Sequence, residues 1–385
     1  MGNLLAINTG SKTIKFEVFN SDLKSLISGT VDDKDNSFSI RTRKENGISE
    51  YDNSAQLRPS ENPYQKIKEL CSGTEISIVG FRIVHGGEKY INPTELTPEV
   101  ITELEKLNEL APLHNPPVLY AIKEFKKVFP KIPFIGVFDT AFHKTIKKEQ
   151  FLYALPYEYY EKYKVRRYGF HGISHKYVSQ KLFELEPQAR KVISCHLGSG
   201  SSITAIVDGN SFDTSMGFTP MEGLVMTTRG GDVDNGAIDY IRRVEKMSPE
   251  EMQIMENQKS GLLGISGISF DMRVLLEESS LGNDRAHLAI EIFVYRVKKY
   301  IGAYIAAMNG VDGLIFTAGI GAGSDVIRRM IIDGLDFFDL KIDSGLNDGQ
   351  INVEKPIKIS TADSLPIWVI PTDEEYQIAK EISLM

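Results

Sequence analysis

The chain has 385 residues, 42% hydrophobic and 25% charged, with 52 acidic side chains against 44 basic ones and a formal net charge of −8. Those proportions fit a folded globular protein of two domains, and the acidic balance argues against a nucleic-acid or anionic-membrane surface. Only two cysteines are present, Cys71 and Cys195, there is no apolar run of membrane-spanning length, and the first residues lack a basic, apolar leader, so a reducing cytoplasm is the expected setting.

In chain order, Leu4–Asn8 predicts a strand, Thr9–Thr13 a hydroxyl-rich turn and Ile14–Phe19 a returning strand. Residues 31–65 are polar and read as an exposed edge hairpin or loop. Ile76–Val84 predicts a strand that carries Arg82 and runs into His85 and Gly86-Gly87. An arginine in an apolar strand needs a partner, either a protein carboxylate or an anionic substrate. Thr97 and Pro98 open a helix as N-cap and first helical residue. Ala111–Pro117 reads as a proline-stiffened turn carrying His114. Ile132–Phe138 predicts a buried strand that delivers Asp139 just past its C-terminal end, where α/β folds often place catalytic groups.

Tyr153–Tyr168 is aromatic and charged and reads as a connecting segment. Ser174 is placed to cap a helix over 175–185, and glycines flank Phe170-His171. Taken alone, His171 suits a structural histidine at least as well as a functional one. Val192–Cys195 and Ile203–Val207 predict strands around a tight turn at Leu197–Ser202. Gly198 and Gly200 let backbone N–H groups converge, and the hydroxyls of Ser199, Ser201, Ser202 and Thr204 sit beside them. The turn reads as a cradle for an anion such as phosphate, or as an ordinary hairpin with a polar tip. Asp213, Glu222, Arg229 and Asp232 follow, with few apolar residues to place them in a core.

The two hairpins share one plan. LLAINTGSKTIKFEVFN and VISCHLGSGSSITAIVDG each run strand, Gly/Ser turn, strand, with Asn8 and His196 in equivalent places. Two related halves and alternating strands and helices predict a bilobed α/β fold with a central cleft. Further on, Ser248 and Glu251 form a capping box, Ala286–Asn309 predicts a long amphipathic helix ending at Gly310, and Leu314–Ala318 predicts a strand. The glycine turn Gly319–Ser324 and the helix Asp325–Ile332 follow, and a nucleotide can sit at that helix start. Thr372 and Glu375 read as a second capping box, which leaves Glu374 with less structural work. No P-loop, Gly-x-Ser-x-Gly elbow or HExxH is present. Gly319-x-Gly321-x-x-Ser324, with Asp339 further on, resembles a dinucleotide fingerprint but leaves both hairpins unexplained.

The ordered motifs NTGSKTIKF, FRIVHGGEKY, APLHNPP, IGVFDTAFH, YALPYEYYEKYKVRRYGFHGISH, HLGSGSS, DTSMGFTPMEGL with TTRGGD, SGLLGISGIS with DMR, FTAGIGAGS and IPTDEE resemble the acetate kinases. The resemblance implies a two-lobed, duplicated ribonuclease H-like (actin-like ATPase) fold. In it, 1–145 with 375–385 form an N-terminal lobe, and 146–374 a C-terminal lobe with nucleotide-binding and dimerisation surfaces. It implies phosphoryl transfer from ATP to acetate, Mg2+ (or Mn2+) as cofactor and a homodimer. By the same resemblance Asp139, His171, Arg229 and Arg82 are catalytic, and Arg82, Val84, Leu113, Phe170 and Pro220 bind acetate. Ser11, Thr13, Lys15, His196, Gly198, Ser199, Gly200, Asp271, Arg273, Gly319, Gly321 and Gly323 match the nucleotide side, and Asn8 and Glu374 the metal. Such a site brings two anions together and must supply positive charge and alignment, while the ionised acceptor needs no strong base.

Three departures from the family pattern cluster on the nucleotide side: Ser199 in the glycine turn, Thr227 before Thr228-Arg229, and Ala322-Gly323. They make another nucleotide, or pyrophosphate, the competing donor. Propionate is the competing acceptor, and a non-enzymatic nucleotide switch of the same superfamily is the competing class.

Overall fold

The computed structural model describes residues 2–10, 13–32, 37–43, 49–56, 62–111, 114–351 and 353–385. The chain forms two compact units. The first comprises Met1–Phe142, Gly172–Ser174 and Asp373–Met385, and the second His143–His171 and His175–Thr372.

The first unit holds β1 (Asn3–Thr9), β2 (Thr13–Phe19), β3 (Ser25–Asp32), β4 (Ser37–Arg43), β5 (Ser49–Gln56), β6 (Ile76–Ile83), β7 (Thr94–Glu95) and β8 (Phe134–Phe138). They lie in one sheet in the order β5-β4-β3-β2-β1-β6-β8-β7. β1, β2 and β3 are antiparallel neighbours, whereas β6 runs parallel to β1 and β8 parallel to β6. β4 and β5 make the edge hairpin expected within 31–65. β1 is apolar without alternation because helices cover both faces of the sheet. Leu5 and Ile7 pack with Val118, Ile122 and Phe125 of the helix Asn115–Val128, and Leu4 and Ala6 with Ile378 and Ile382 of the last helix, Glu374–Ser383. Gly80 of β6 lies beneath that last helix, where a Cβ would run into Ile378 and Ile382.

The second unit holds β9 (Lys191–Leu197), β10 (Ser201–Val207), β11 (Asn210–Thr214), β12 (Gly313–Thr317), β13 (Ile357–Lys358) and β14 (Ile367–Val369), in the order β11-β10-β9-β12-β14-β13. β9, β10 and β11 are antiparallel neighbours, β12 is parallel to β9, and β14 is parallel to β12. This repeats the β1, β2, β3, β6, β8 pattern strand for strand, so the fold is a duplicated α/β unit, as the paired hairpins predicted. The helix Asp284–Met308 buries ten of its residues, among them Phe293 and Val297, and ends at Asn309 in the left-handed conformation.

Three local expectations are corrected. The helix after His171 spans Gly172–Leu185, so Ser174 lies buried in its first turn, and no side chain caps it. The proline-rich turn is shorter than expected: Asn115 already begins a helix, with Pro116 and Pro117 in a first turn that needs no N–H donor. The last helix is capped by Asp373, whose carboxylate accepts from Tyr376 N at 2.9 Å. The Thr372–Glu375 box therefore does not form, and Glu375 turns elsewhere. Tyr153–Tyr168 lies wholly within the second unit and includes a short helix, Glu158–Tyr163. Among the described residues, no helix is long and apolar enough to cross a membrane.

Candidate active site

In the first unit the polar groups gather at the C-terminal ends of the parallel strands. Arg82, near the end of β6, sends Nε and Nη2 to Asp139 Oδ2 at 3.0 and 2.6 Å. Its Nη1 donates to Glu374 Oε2 at 2.8 Å and to Asn8 Oδ1 at 3.2 Å. Asn8, at the end of β1, donates through Nδ2 to Glu374 Oε2 at 2.7 Å and to Glu375 Oε1 at 3.0 Å. Two carboxylates thus share one guanidinium, and Glu375 joins the cluster through Asn8. Burial alone would lower the Arg82 pKa, but Asp139 and Glu374 outweigh it and hold the group charged. Asp139 is fully buried, and burial raises its pKa even though Arg82 pulls the other way. Glu375 is raised too, by burial and then by Glu374, with Lys15 opposing.

One atom of this cluster stands apart. Asp139 Oδ1 is buried and accepts no well-formed hydrogen bond, although the Ile173 N–H lies close enough to lower the pKa. A buried carboxylate oxygen without a donor, in a cluster with more acids than bases, fits a hard cation. No group of three His, Cys, Asp or Glu side chains among the described residues is arranged to enclose a metal.

In the second unit His171 has left-handed backbone angles, φ 55° and ψ 23°, at the start of its helix. Its ring stacks on His196 with centroids 4.2 Å apart, and Nδ1 lies 2.9 Å from Ser202 Oγ. Arg229 lies on the same side. A Cβ on Gly200 would come within 3.0 Å of Arg229 Nη2 and 3.2 Å of His171 Nε2, so both side chains crowd the turn and any larger residue there would push on them. Arg229 donates to Pro220 O at 2.7 Å, pairs with no carboxylate among the described residues, and is lowered by burial to about 10. The two arginines therefore differ: Arg82 is neutralised by the protein and Arg229 is not.

The hydroxyl cradle expected around Gly198–Gly200 is mostly spent inside the fold. Ser201 Oγ donates to Gly198 O, Ser202 Oγ faces two histidines, and Thr204 pairs with Thr214. Ser201 and Ser202 lie on opposite faces of β10, and both faces are buried. Ser199 alone stays at the tip, and its hydroxyl lies 3.1 Å from that of Thr227. Two of the departures noted in the sequence therefore touch one another.

The glycine turns after β9 and β12 are neighbours, because those strands are adjacent and parallel. A Cβ on Gly198 would contact Ala318 at 3.4 Å and Gly319 N at 3.8 Å. Residues Ala318–Gly321 form a one-turn helix, not an open loop, and Gly319 faces open space. Arg328, fully buried, clamps this turn from behind through Gly321 O at 2.9 Å, Ala322 O, Asn347 Oδ1 and Gln350 O. Asp271 caps the helix Met272–Ser280 and pairs with the exposed Arg273 at 2.6 Å. Thr13 is half-buried and Lys15 exposed on β2. Val84 is buried in the first unit, and Phe170 and Pro220 in the second. Ser11 and Leu113 lie outside the described residues. Asp213, Glu222 and Asp232 have structural partners: Arg167 bonds Glu222 at 2.6 Å and lies 3.9 Å from Asp213, and Tyr300 bonds Asp232 at 2.8 Å.

Sequence reading missed Glu375, His175 and Arg328. The Asn8 partnership of Glu375 was masked by a plausible cap. His175 and Arg328 sit in helical stretches where nothing marks a polar residue as inward-facing.

The acetokinase family matches residues 3–380. The acetate kinase of Halothermothrix orenii (strain H 168) is 46% identical over 392 residues, covering 98% of each chain. Among solved structures, Porphyromonas gingivalis acetate kinase superposes with a TM-score of 0.85 at 38% identity over 100% of each chain. A propionate kinase from Francisella tularensis subsp. tularensis SCHU S4 gives 0.88 at 37% identity over 99% of each.

Proposed function

The chain belongs to the acetokinase family, and from that premise we propose that it transfers a phosphoryl group reversibly from ATP to acetate, giving acetyl phosphate and ADP. The observation that carries the site is Arg229, a half-buried guanidinium bonded to a carbonyl and to no acid among the described residues, set close to Gly200 and His171. Burying an uncompensated cation is costly unless an anion arrives to share it. Arg229 binds the phosphoryl group, and His171 donates to one of its oxygens. Arg82 orients Asp139 and Glu374 and meets the acceptor carboxylate. The family reading assigns the methyl group of the acceptor to Val84 in the first unit and to Phe170 and Pro220 in the second. Asp139 and Glu374 would hold Mg2+, which when bound neutralises phosphate oxygens, while Asn8 orients Glu374. The acetate carboxylate is already ionised at neutral pH, so Asp139 need not act as a base. The nucleotide lies on the neighbouring turns Gly198–Gly200 and Gly319–Gly323.

Propionate is the second acceptor to test, since the chain is as similar in fold to a propionate kinase as to an acetate kinase. Initial rates with ATP, GTP and pyrophosphate against acetate, propionate and butyrate decide donor and acceptor together. ATP with acetate is the expected best pair. Arg229→Ala and Arg82→Ala should each lower kcat by about 10²- to 10³-fold with the circular dichroism unchanged. Near-native turnover in either variant overturns the assignment.

A homodimer formed through the second unit is part of the same reading. The helix Asn235–Val244 buries none of its residues, and Tyr240, Ile241 and Val244 are exposed on it, with Val233 just before. An apolar face of that kind suits a second copy of the chain. Two free, buried cysteines suit the cytoplasm.

A further inference from the structure

Behind His171 runs a buried chain of hydrogen bonds that the mechanism above does not use. Ser202 Oγ lies 2.9 Å from His171 Nδ1 and 2.7 Å from His175 Nε2, and His175 Nδ1 lies 2.9 Å from Ser194 Oγ. Ser194, Ser202 and His175 are all fully buried. His175 is neutral, because burial, and then His196 and His143, hold its pKa well below the usual histidine value. A neutral imidazole donates through one nitrogen and accepts through the other, so the chain can run in only two directions.

Suppose it runs outward. Ser194 donates to His175 Nδ1, His175 Nε2–H to Ser202, and Ser202 to His171 Nδ1. Every buried hydroxyl proton is then used. Suppose it runs inward. His171 Nδ1–H donates to Ser202, Ser202 to His175, and His175 Nδ1–H to Ser194. The Ser194 hydroxyl proton then has no acceptor, because Ser194 Oγ has no other partner among the described residues. A buried donor left unmade is unfavourable, because it gives up water without gaining a partner. The inward direction also leaves two arrangements for His171. One is a lone pair on Nε2. The other is an imidazolium on the side of Gly200 where Arg229 lies, and two desolvated cations would meet there.

We propose that His175 is a positioning residue: through Ser202 it holds His171 as the neutral ring with its proton on Nε2, the tautomer that donates to a phosphoryl oxygen. The donor role rests on the phosphoryl-transfer reading, but the tautomer does not. The second unit then divides its labour, with charge from Arg229 and a directed neutral hydrogen bond from His171. Ser202 belongs to this relay and leaves the phosphate cradle to backbone N–H groups.

The full-length protein labelled with 15N in its imidazoles reads this directly at pH 7.5, with His171 assigned by the signals lost in His171→Asn. The expected pattern is a protonated Nε2 and an unprotonated Nδ1. Ser202→Ala should erase that preference and lower kcat about tenfold, with KM for both substrates within about twofold of the parent. Ser202→Thr, which restores the hydroxyl, should recover both. A protonated Nδ1 in the unmodified protein overturns the proposal, as does a Ser202→Ala variant that keeps both the tautomer and kcat. A lost tautomer with unchanged kcat would instead overturn His171 as the phosphoryl donor and leave the relay standing.

Discussion

Arg82 and Arg229 carry the same charge into opposite surroundings, and the difference decides what each can do. Arg82 is enclosed by Asp139, Glu374 and Asn8, so its guanidinium is a fixed part of an acidic cluster. Arg229 has a carbonyl and a glycine turn, so its charge is available. The acidic cluster has a cost in stability. Glu375 is raised from the ordinary glutamate value in the folded state, first because it is buried and second because Glu374 repels it. The penalty is absent below the ordinary glutamate pKa, grows as pH rises toward the raised value, and is constant above it. Glu375→Gln keeps an acceptor for Asn8 and removes the charge. Its urea midpoint should therefore exceed the parent's at about pH 8 and equal it near pH 4. A lower midpoint at pH 8 would show that the carboxylate is compensated in the fold.

The turn Ala318–Gly321 depends on the element behind it. Arg328, from the helix Asp325–Ile332, ties the carbonyls of Gly321 and Ala322 to Asn347 and Gln350. Arg328→Met strips four acceptors of their donor at once. The expected loss is about 3 kcal/mol in urea unfolding and a rise of roughly tenfold in the KM of the nucleotide. The KM of acetate should not move, and an equal rise in both would remove the turn from the nucleotide assignment. The helix Asp325–Ile332 itself was legible because Ser324 caps it and its apolar spacing is helical. Both hairpins were legible for a similar reason, since a strand that meets a Gly/Ser turn admits few alternatives. The helix Asn115–Val128 was not, because Pro116 and Pro117 signal a turn until something places them in a first helical turn. The start of the last helix was misread because Thr372 and Asp373 can each act as a cap, and only the pull of Asn8 on Glu375 decides between them. The Ser202 relay was unreadable for a plainer reason: sequence gives a hydroxyl but not the face of the strand on which it lies.

Across the whole molecule the function was legible through motifs that resemble one family, and the repeated strand order explains where those motifs fall. Each half brings its first hairpin and its later parallel strands to one edge, so the chemistry-bearing residues fall at predictable strand ends: Asn8, Arg82 and Asp139 in one half, His196 and Thr317-Ala318 in the other. Assembly was not legible, because an amphipathic surface helix does not say what covers it. If the helix Asn235–Val244 is the contact between copies, Tyr240→Asp combined with Val244→Asp should weaken self-association by at least about 100-fold in sedimentation velocity, with the monomer folded.

The last helix lies against β1, β2, β6 and β8, strands encoded hundreds of residues earlier. A ribosome has therefore synthesised the entire second unit before the segment that covers Leu4, Ala6 and Gly80 emerges. Until then one face of the earlier sheet lacks the helix that covers it. Maturation of this protein is thus ordered backwards, with the later-encoded half able to finish first.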